Sequence, residues 1–111
     1  MFRIAICDDE KEYLDIEQGY IDEYLTKLGI EHEICCFKSG SSFLKSVNKD
    51  NPYDLAFLDV EMKADNGMDI AKLLLEESPK TSYYTQNKPV GEISKSLSSR
   101  LKLYMDDNGI T

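Results

Sequence analysis

Two aspartates stand side by side at positions 8 and 9, directly behind the mostly apolar run "FRIAIC" of residues 2–7. A third, Asp59, closes a second apolar run, "YDLAFLDV", residues 53–60. Adjacent carboxylates resist joint ionisation, so a chain that ends a buried strand on such a pair needs a compensating charge nearby. A hard divalent cation supplies it. Mg²⁺ takes one or two carboxylates, a carbonyl, waters and phosphate oxygens in an octahedral array. If the two apolar runs are neighbouring strands of a parallel sheet, Asp8, Asp9 and Asp59 converge at the carboxyl edge, where such sheets place their ligands.

The elements that must position these groups follow from local patterning. Residues 2–7 suit a buried strand. From Glu12 to Leu28 the positions Tyr13, Leu14, Ile16, Tyr20, Ile21, Tyr24, Leu25 and Leu28 recur at three- and four-residue spacing, which predicts an amphipathic helix closed by Gly29. A second strand is expected over 31–39 and a short helix over 40–47, with serines near its start. Residues 53–60 form a third strand, and 68–77 a helix ended by Ser78 and Pro79. After Pro79 the alternation weakens. "KTSYYTQNKPV" offers at most a weak strand, and 91–107 is one last amphipathic helix with Ile93, Leu97, Leu101 and Tyr104 on a face. The β-α-β-α-β-α order predicts a doubly wound parallel α/β sheet with right-handed crossovers, in a single domain covering residues 1–111.

Composition narrows the function. Hydrophobic residues make up 41% and charged residues 31% of the 111, ordinary for a folded domain. A formal net charge of −8 repels nucleic acid phosphates and favours a cation. No apolar run reaches the ~20 residues of a membrane span, and the acidic turn after Cys7 leaves no room for a signal peptide. Three cysteines, Cys7, Cys35 and Cys36, form neither a disulfide framework nor a zinc spacing, and are read as reduced buried thiols of a cytoplasmic protein. His32, the single histidine, is read as structural or exposed, which argues against a phosphohistidine donor or a triad hydrolase.

Taken together, "AICDDE", "LAFLDVEM", Gly67 and the dipeptide Lys88–Pro89 resemble the receiver domain of two-component response regulators, and "RIAICDDE" and "DVEM" resemble its LytTR class most. The likeness covers residues 2–79 and resumes at Lys88. It implies a flavodoxin-like receiver fold in which Asp59 accepts a phosphoryl group from a sensor histidine kinase. Asp9 would then bind Mg²⁺ directly, Asp8 would assist through water, and the backbone carbonyl of Glu61 would add a ligand beside Asp59. Lys88 would contact a phosphoryl oxygen, and Thr81 or Ser82 would supply a switch hydroxyl. Such a domain is a signalling substrate, not a turnover enzyme, with only slow self-dephosphorylation. Its partners would be the kinase and a second copy in a homodimer, with DNA reached only through an effector domain not present in this chain, in the service of transcription.

Two departures stand out. Lys63 replaces the usual proline after Met62. The interval from Asp59 to Lys88 is also roughly twenty residues short of the strand, helix and further strand the family needs there, since each parallel connection takes about a dozen. The fourth-strand and fourth-helix region is therefore expected to be missing. Either the product is shortened, or the sequence is joined across omitted segments, or the remnant completes its sheet on another copy. The second reading is preferred, because a bare sheet edge invites aggregation. Taken singly, the Asp8–Asp9 pair is equally a helix cap, Asp59 a turn residue and Lys88 a solvated charge. The rival to the phospho-accepting switch is a pseudo-receiver, a constitutive interaction or dimerisation module that keeps the fold without phosphorylation. A Mg²⁺-dependent phosphatase would need a general acid that the sequence does not offer.

Overall fold

Continuous apolar stretches become the inner strands. β1 (Phe2–Cys7) buries Ile4, Ala5, Ile6 and Cys7 on both faces, and β3 (Leu55–Asp59) is buried at every position. The computed structural model describes residues 1–62, 66–86 and 93–110. Around the inner strands run α1 (Lys11–Lys27), β2 (His32–Phe37), α2 (Gly40–Ser46), α3 (Gly67–Glu77), β4 (Ser82–Gln86) and α4 (Ile93–Asp107). All strand pairs are parallel, in the order β2-β1-β3-β4. Among the described residues, four parallel strands and four helices make the doubly wound, flavodoxin-like arrangement expected.

Paired residues of a parallel sheet point to one face, so the register sorts the core into two halves. Ile4, Ile6, Leu55 and Phe57 meet Leu14, Ile21 and Leu25 of α1 and Leu97, Leu101 and Tyr104 of α4. Ala5, Cys7, Ala56 and Leu58 meet Phe43 of α2 and Ile70, Ala71 and Leu74 of α3. Helix ends carry their own signals. Ser39 Oγ accepts from Ser42 N–H at 3.1 Å to open α2. Gly29 closes α1 at φ 70°, with Gly29 N–H donating to Thr26 and Ile30 N–H to Leu25. That is the Schellman arrangement, and it calls for a left-handed residue at this position.

Three expectations change. The region expected to be missing is present in part: Ser82–Gln86 pairs with β3 along its whole length, and among the described residues the interval after Asp59 holds one helix and one strand, still short of the strand, helix and further strand that the resemblance calls for. The buried stripe of α1 is Leu14, Glu17, Ile21 and Leu25, which leaves Ile16 and Tyr20 nearly half exposed. The seam against the sheet is narrower than the apolar positions suggest. Of the thiols only Cys7 is buried; Cys36 is exposed because β2 is an edge strand whose successive residues face opposite sides.

Candidate metal centre

Because Cys7 pairs with Leu58 between β1 and β3, the next residue on each strand, Asp8 and Asp59, come level at the carboxyl edge of the sheet. Asp9 follows at the rim. One carboxylate oxygen from each of Asp8, Asp9 and Asp59 lies within 4.8 Å of the others. Asp8 and Asp59 are each only 1% exposed, and Asp9 is half-buried. The loops hold these groups by their own backbone: Asp8 Oδ1 accepts from Glu10 N–H at 2.9 Å, and Asp59 Oδ1 accepts from Glu61 N–H at 3.1 Å. Below, Met62 packs on Cys7 with the sulfurs 3.7 Å apart, sealing the α2–α3 side.

Gly67 completes the cradle. It opens α3 behind the Asn66 cap, whose Oδ1 accepts from Met68 N–H at 2.8 Å. A β-carbon at position 67 would sit 2.4 Å from the Asp59 carbonyl oxygen and 2.9 Å from its carbon. Only glycine lets the helix start press this closely on the strand that carries Asp59.

The donor set is all carboxylate oxygen, without imidazole or thiolate, which fits a hard divalent cation and not a soft one. Two buried carboxylates this close are costly to ionise together without a countercharge. Asp8, Asp9 and Asp59 could hold such an ion between them. Glu61, whose carbonyl the resemblance adds as a ligand, lies two residues beyond Asp59 and bridges back to Asn66.

The remaining sequence candidates fare differently. Lys88 and Pro89, like Lys63, lie outside the described residues. Thr81 and Ser82 are at the wrong end of the sheet for a switch hydroxyl. Ser82 is level with Leu55, whereas Asp59 is level with Gln86. Thr81 is buried, donates to the Tyr53 carbonyl at 2.7 Å and pairs with Ser78 Oγ at 2.8 Å, so its hydroxyl ties the α3–β4 turn to the start of β3. The weak strand expected within "KTSYYTQNKPV" begins at Ser82, so both residues stand at its amino end, away from Asp59.

Two residues at this edge went unnoticed in the sequence. Gln86, in register with Asp59, donates from Nε2 to Glu17 Oε1 at 2.7 Å, and Glu17 is 3% exposed. Position 17 does lie at the spacing of the buried stripe, three after Leu14 and four before Ile21, but an acidic residue there reads as solvated. An amide, not a hydroxyl, stands level with Asp59.

A family model for the response regulator receiver domain matches residues 4–102. Among solved structures, the fold is similar to a two component transcriptional regulator AraC from Clostridium phytofermentans, with a TM-score of 0.73 at 18% identity and all of both chains covered. It is also similar to response regulator protein TrrA from Thermotoga maritima in complex with Mg²⁺-BeF: TM-score 0.66, 23% identity, 94% of this chain and 99% of that one. A third is response regulator DrrB, a Thermotoga maritima OmpR/PhoB homolog, with a TM-score of 0.59 and 24% identity over 90% of this chain, which spans 42% of the DrrB chain. At these identities the likeness is one of fold. None of the curated proteins matches.

Proposed function

This chain belongs to the response regulator receiver domain family, and from that premise we propose that it is a phospho-accepting switch acting on Asp59. The observation that carries the reading is the convergence of Asp8, Asp9 and Asp59 within 4.8 Å at the carboxyl ends of β1 and β3. A carboxylate oxygen of Asp59 forms a bond to phosphorus as the phosphorus–nitrogen bond of a sensor kinase's phosphohistidine breaks. The electron pair of that bond stays on the kinase's imidazole, which carries a proton on its other ring nitrogen, so the products are an acyl phosphate and a neutral imidazole. Asp8, Asp9, Asp59 and the Glu61 carbonyl would hold Mg²⁺, a choice supported by the donor chemistry and by the Mg²⁺-BeF complex of TrrA. When bound, the ion neutralises charge on the transferring group. The Glu10 and Glu61 N–H bonds keep two of the carboxylates aimed before any donor arrives. Lys88 is assigned the phosphoryl oxygen. The added charge would then bias a two-state surface toward a partner or a second copy.

Slow hydrolysis of the acyl phosphate, and not substrate turnover, returns the switch to its resting state. The reading extends to a cytoplasmic setting with a histidine kinase as partner and, in a longer protein, an effector domain for transcription. Among the described residues no helix is long and apolar enough to cross a membrane. Affiliation with the LytTR class has only the wording of residues 3–10 and 59–62 behind it. The pseudo-receiver has one specific observation in its favour: Gln86, level with Asp59, is an amide already engaged by Glu17.

Incubation with Mg²⁺ and acetyl phosphate, followed by intact mass measurement, separates the two. One added phosphoryl group that Asp59→Asn abolishes supports the switch. No adduct at any metal or donor concentration leaves the constitutive module.

A further inference from the structure

β4 is an outer strand, and among the described residues nothing pairs with its far side. The ladder to β3 fixes which groups look outward. Ser82 N–H donates to the Asp54 carbonyl at 3.1 Å and the Gln86 carbonyl accepts from Val60 N–H at 3.0 Å. Alternation therefore turns the backbone groups of Ser82, Tyr84 and Gln86 toward β3, and those of Tyr83 and Thr85 away from it.

Exposed edges are normally blunted by lysine, proline or inward charge. The opposite edge, β2, carries Glu33 in an ion pair with Arg3 at 3.6 Å. β4, "SYYTQ", has no charge and no proline in a chain of net charge −8. Exposed apolar side chains stand on both of its flanks. On α3, Ile70, Leu73 and Glu77 line the groove against α2, so helical spacing puts Met68 and Leu75, each 49% exposed, on the flank toward β4. On α4, Ser98 lies with Tyr20 and Tyr24 of α1, which leaves Arg100, Leu103 and Asp107 on the other flank. Arg100 confirms that direction: Nη1 donates to the Thr85 carbonyl at 3.2 Å and the guanidinium lies 5.3 Å from the Tyr84 ring centre. Leu103 beside it is 53% exposed.

We infer that the outer edge of β4 joins a second copy of this chain, antiparallel about Tyr84, into one continuous sheet. The pattern is self-complementary. With Tyr84 opposite the second copy's Tyr84, the outward groups of Tyr83 face those of the second copy's Thr85, and each such pair exchanges two N–H···O bonds. The Thr85 carbonyl has two lone pairs, so the Arg100 bond persists. The stripe Arg100–Leu103–Asp107 is basic at one end and acidic at the other, so two copies running oppositely set Arg100 toward the second copy's Asp107. A foreign strand would meet the same hydrogen-bonding edge, but only a second copy brings this complement of charge and flanking leucines. The inference stands on the edge alone, independently of any phosphoryl chemistry.

Sedimentation of the 111-residue chain without metal or phosphodonor, across a concentration series, tests it. A monomer–dimer equilibrium is expected, with the Tyr83 and Thr85 amides gaining protection from hydrogen exchange as the dimer fills. Thr85→Pro removes an N–H that does not serve β3 and should give a monomer with unchanged far-UV circular dichroism. If that variant does not fold, the surface pair Leu75→Glu with Leu103→Glu should weaken the dimer at least about tenfold. A chain monomeric at every concentration overturns the inference. So does a dimer that the surface pair leaves intact, or amide protection that appears only when another polypeptide is added. None of these outcomes bears on whether Asp59 takes up phosphate, which mass measurement decides separately.

Discussion

Replacing Gly67 with alanine puts one methyl group where the structure has no room for it. The new β-carbon would lie 2.4 Å from the Asp59 carbonyl oxygen and 3.0 Å from the Val60 α-carbon, against an ordinary contact of 3.4–4 Å. Both neighbours are backbone, so no side-chain rotation relieves the clash; the start of α3 and the end of β3 must separate by about 1 Å. Overpacking of this kind costs about 1–3 kcal/mol. At about 4–8 °C per kcal/mol for a domain of this size, the melting temperature should fall by roughly 5–20 °C. The displaced backbone is that of Asp59, and a misplacement of about 1 Å at a reacting group costs on the order of 100-fold in rate. Phosphoryl uptake from acetyl phosphate should therefore slow by about that factor even where the variant is fully folded. Gly19→Ala is the matched control. Position 19 lies inside α1 on an exposed face with nothing within 4 Å of an added β-carbon, so the same change there should stabilise by about 0.5–1 kcal/mol. Thermal melts followed by circular dichroism, with uptake rates from intact mass, measure both. A Gly67→Ala protein that melts no lower than wild type and takes up phosphate at the same rate would refute the cradle.

Other expectations concern charge. Mg²⁺ at about 100 times its dissociation constant should raise stability by about 2.7 kcal/mol if it binds only the folded chain. Asp8→Asn should raise the metal-free melting temperature, by relieving repulsion among the clustered carboxylates, while abolishing most of the metal's effect in the same melts. His32 offers a pH dependence of known sign. Burial disfavours its charge, but the Ile30 carbonyl at 2.8 Å and the Asp22 carboxylate at 2.7 Å outweigh it and raise its pKa above 6.5. Both ring nitrogens face acceptors, so the imidazolium is the form that satisfies them. Its contribution to stability is complete below pH 6.5, the unfolded value, and is lost as pH rises through the higher folded value. Following the single imidazole by NMR titration should show the raised pKa and its fall in Asp22→Asn; an unchanged titration in that variant would remove Asp22 as the cause.

Local signals sufficed for much of this molecule. The apolar runs at Phe2–Cys7 and Leu55–Asp59, the stripe through Leu14, Ile21 and Leu25, and the serine cap of α2 are properties of consecutive residues, which secondary structure reads directly. Because strand-end aspartates in a parallel sheet reach one edge whatever the detailed packing, Asp8, Asp9 and Asp59 were legible too. What the sequence left open depends on pairing between distant segments. Whether "SYYTQ" forms a strand, and whether Thr81 or Gln86 stands level with Asp59, is set by its register on β3, and a shift along that ladder would have exchanged them. Glu17 reads as a solvated charge until α1 is laid across the sheet and Gln86 meets it. The residue types and their order determined that a triad of carboxylates would gather. Tertiary structure alone decided which neighbours would stand beside it and which strand edge would be left bare, because both are set by hydrogen bonds between strands far apart in the chain.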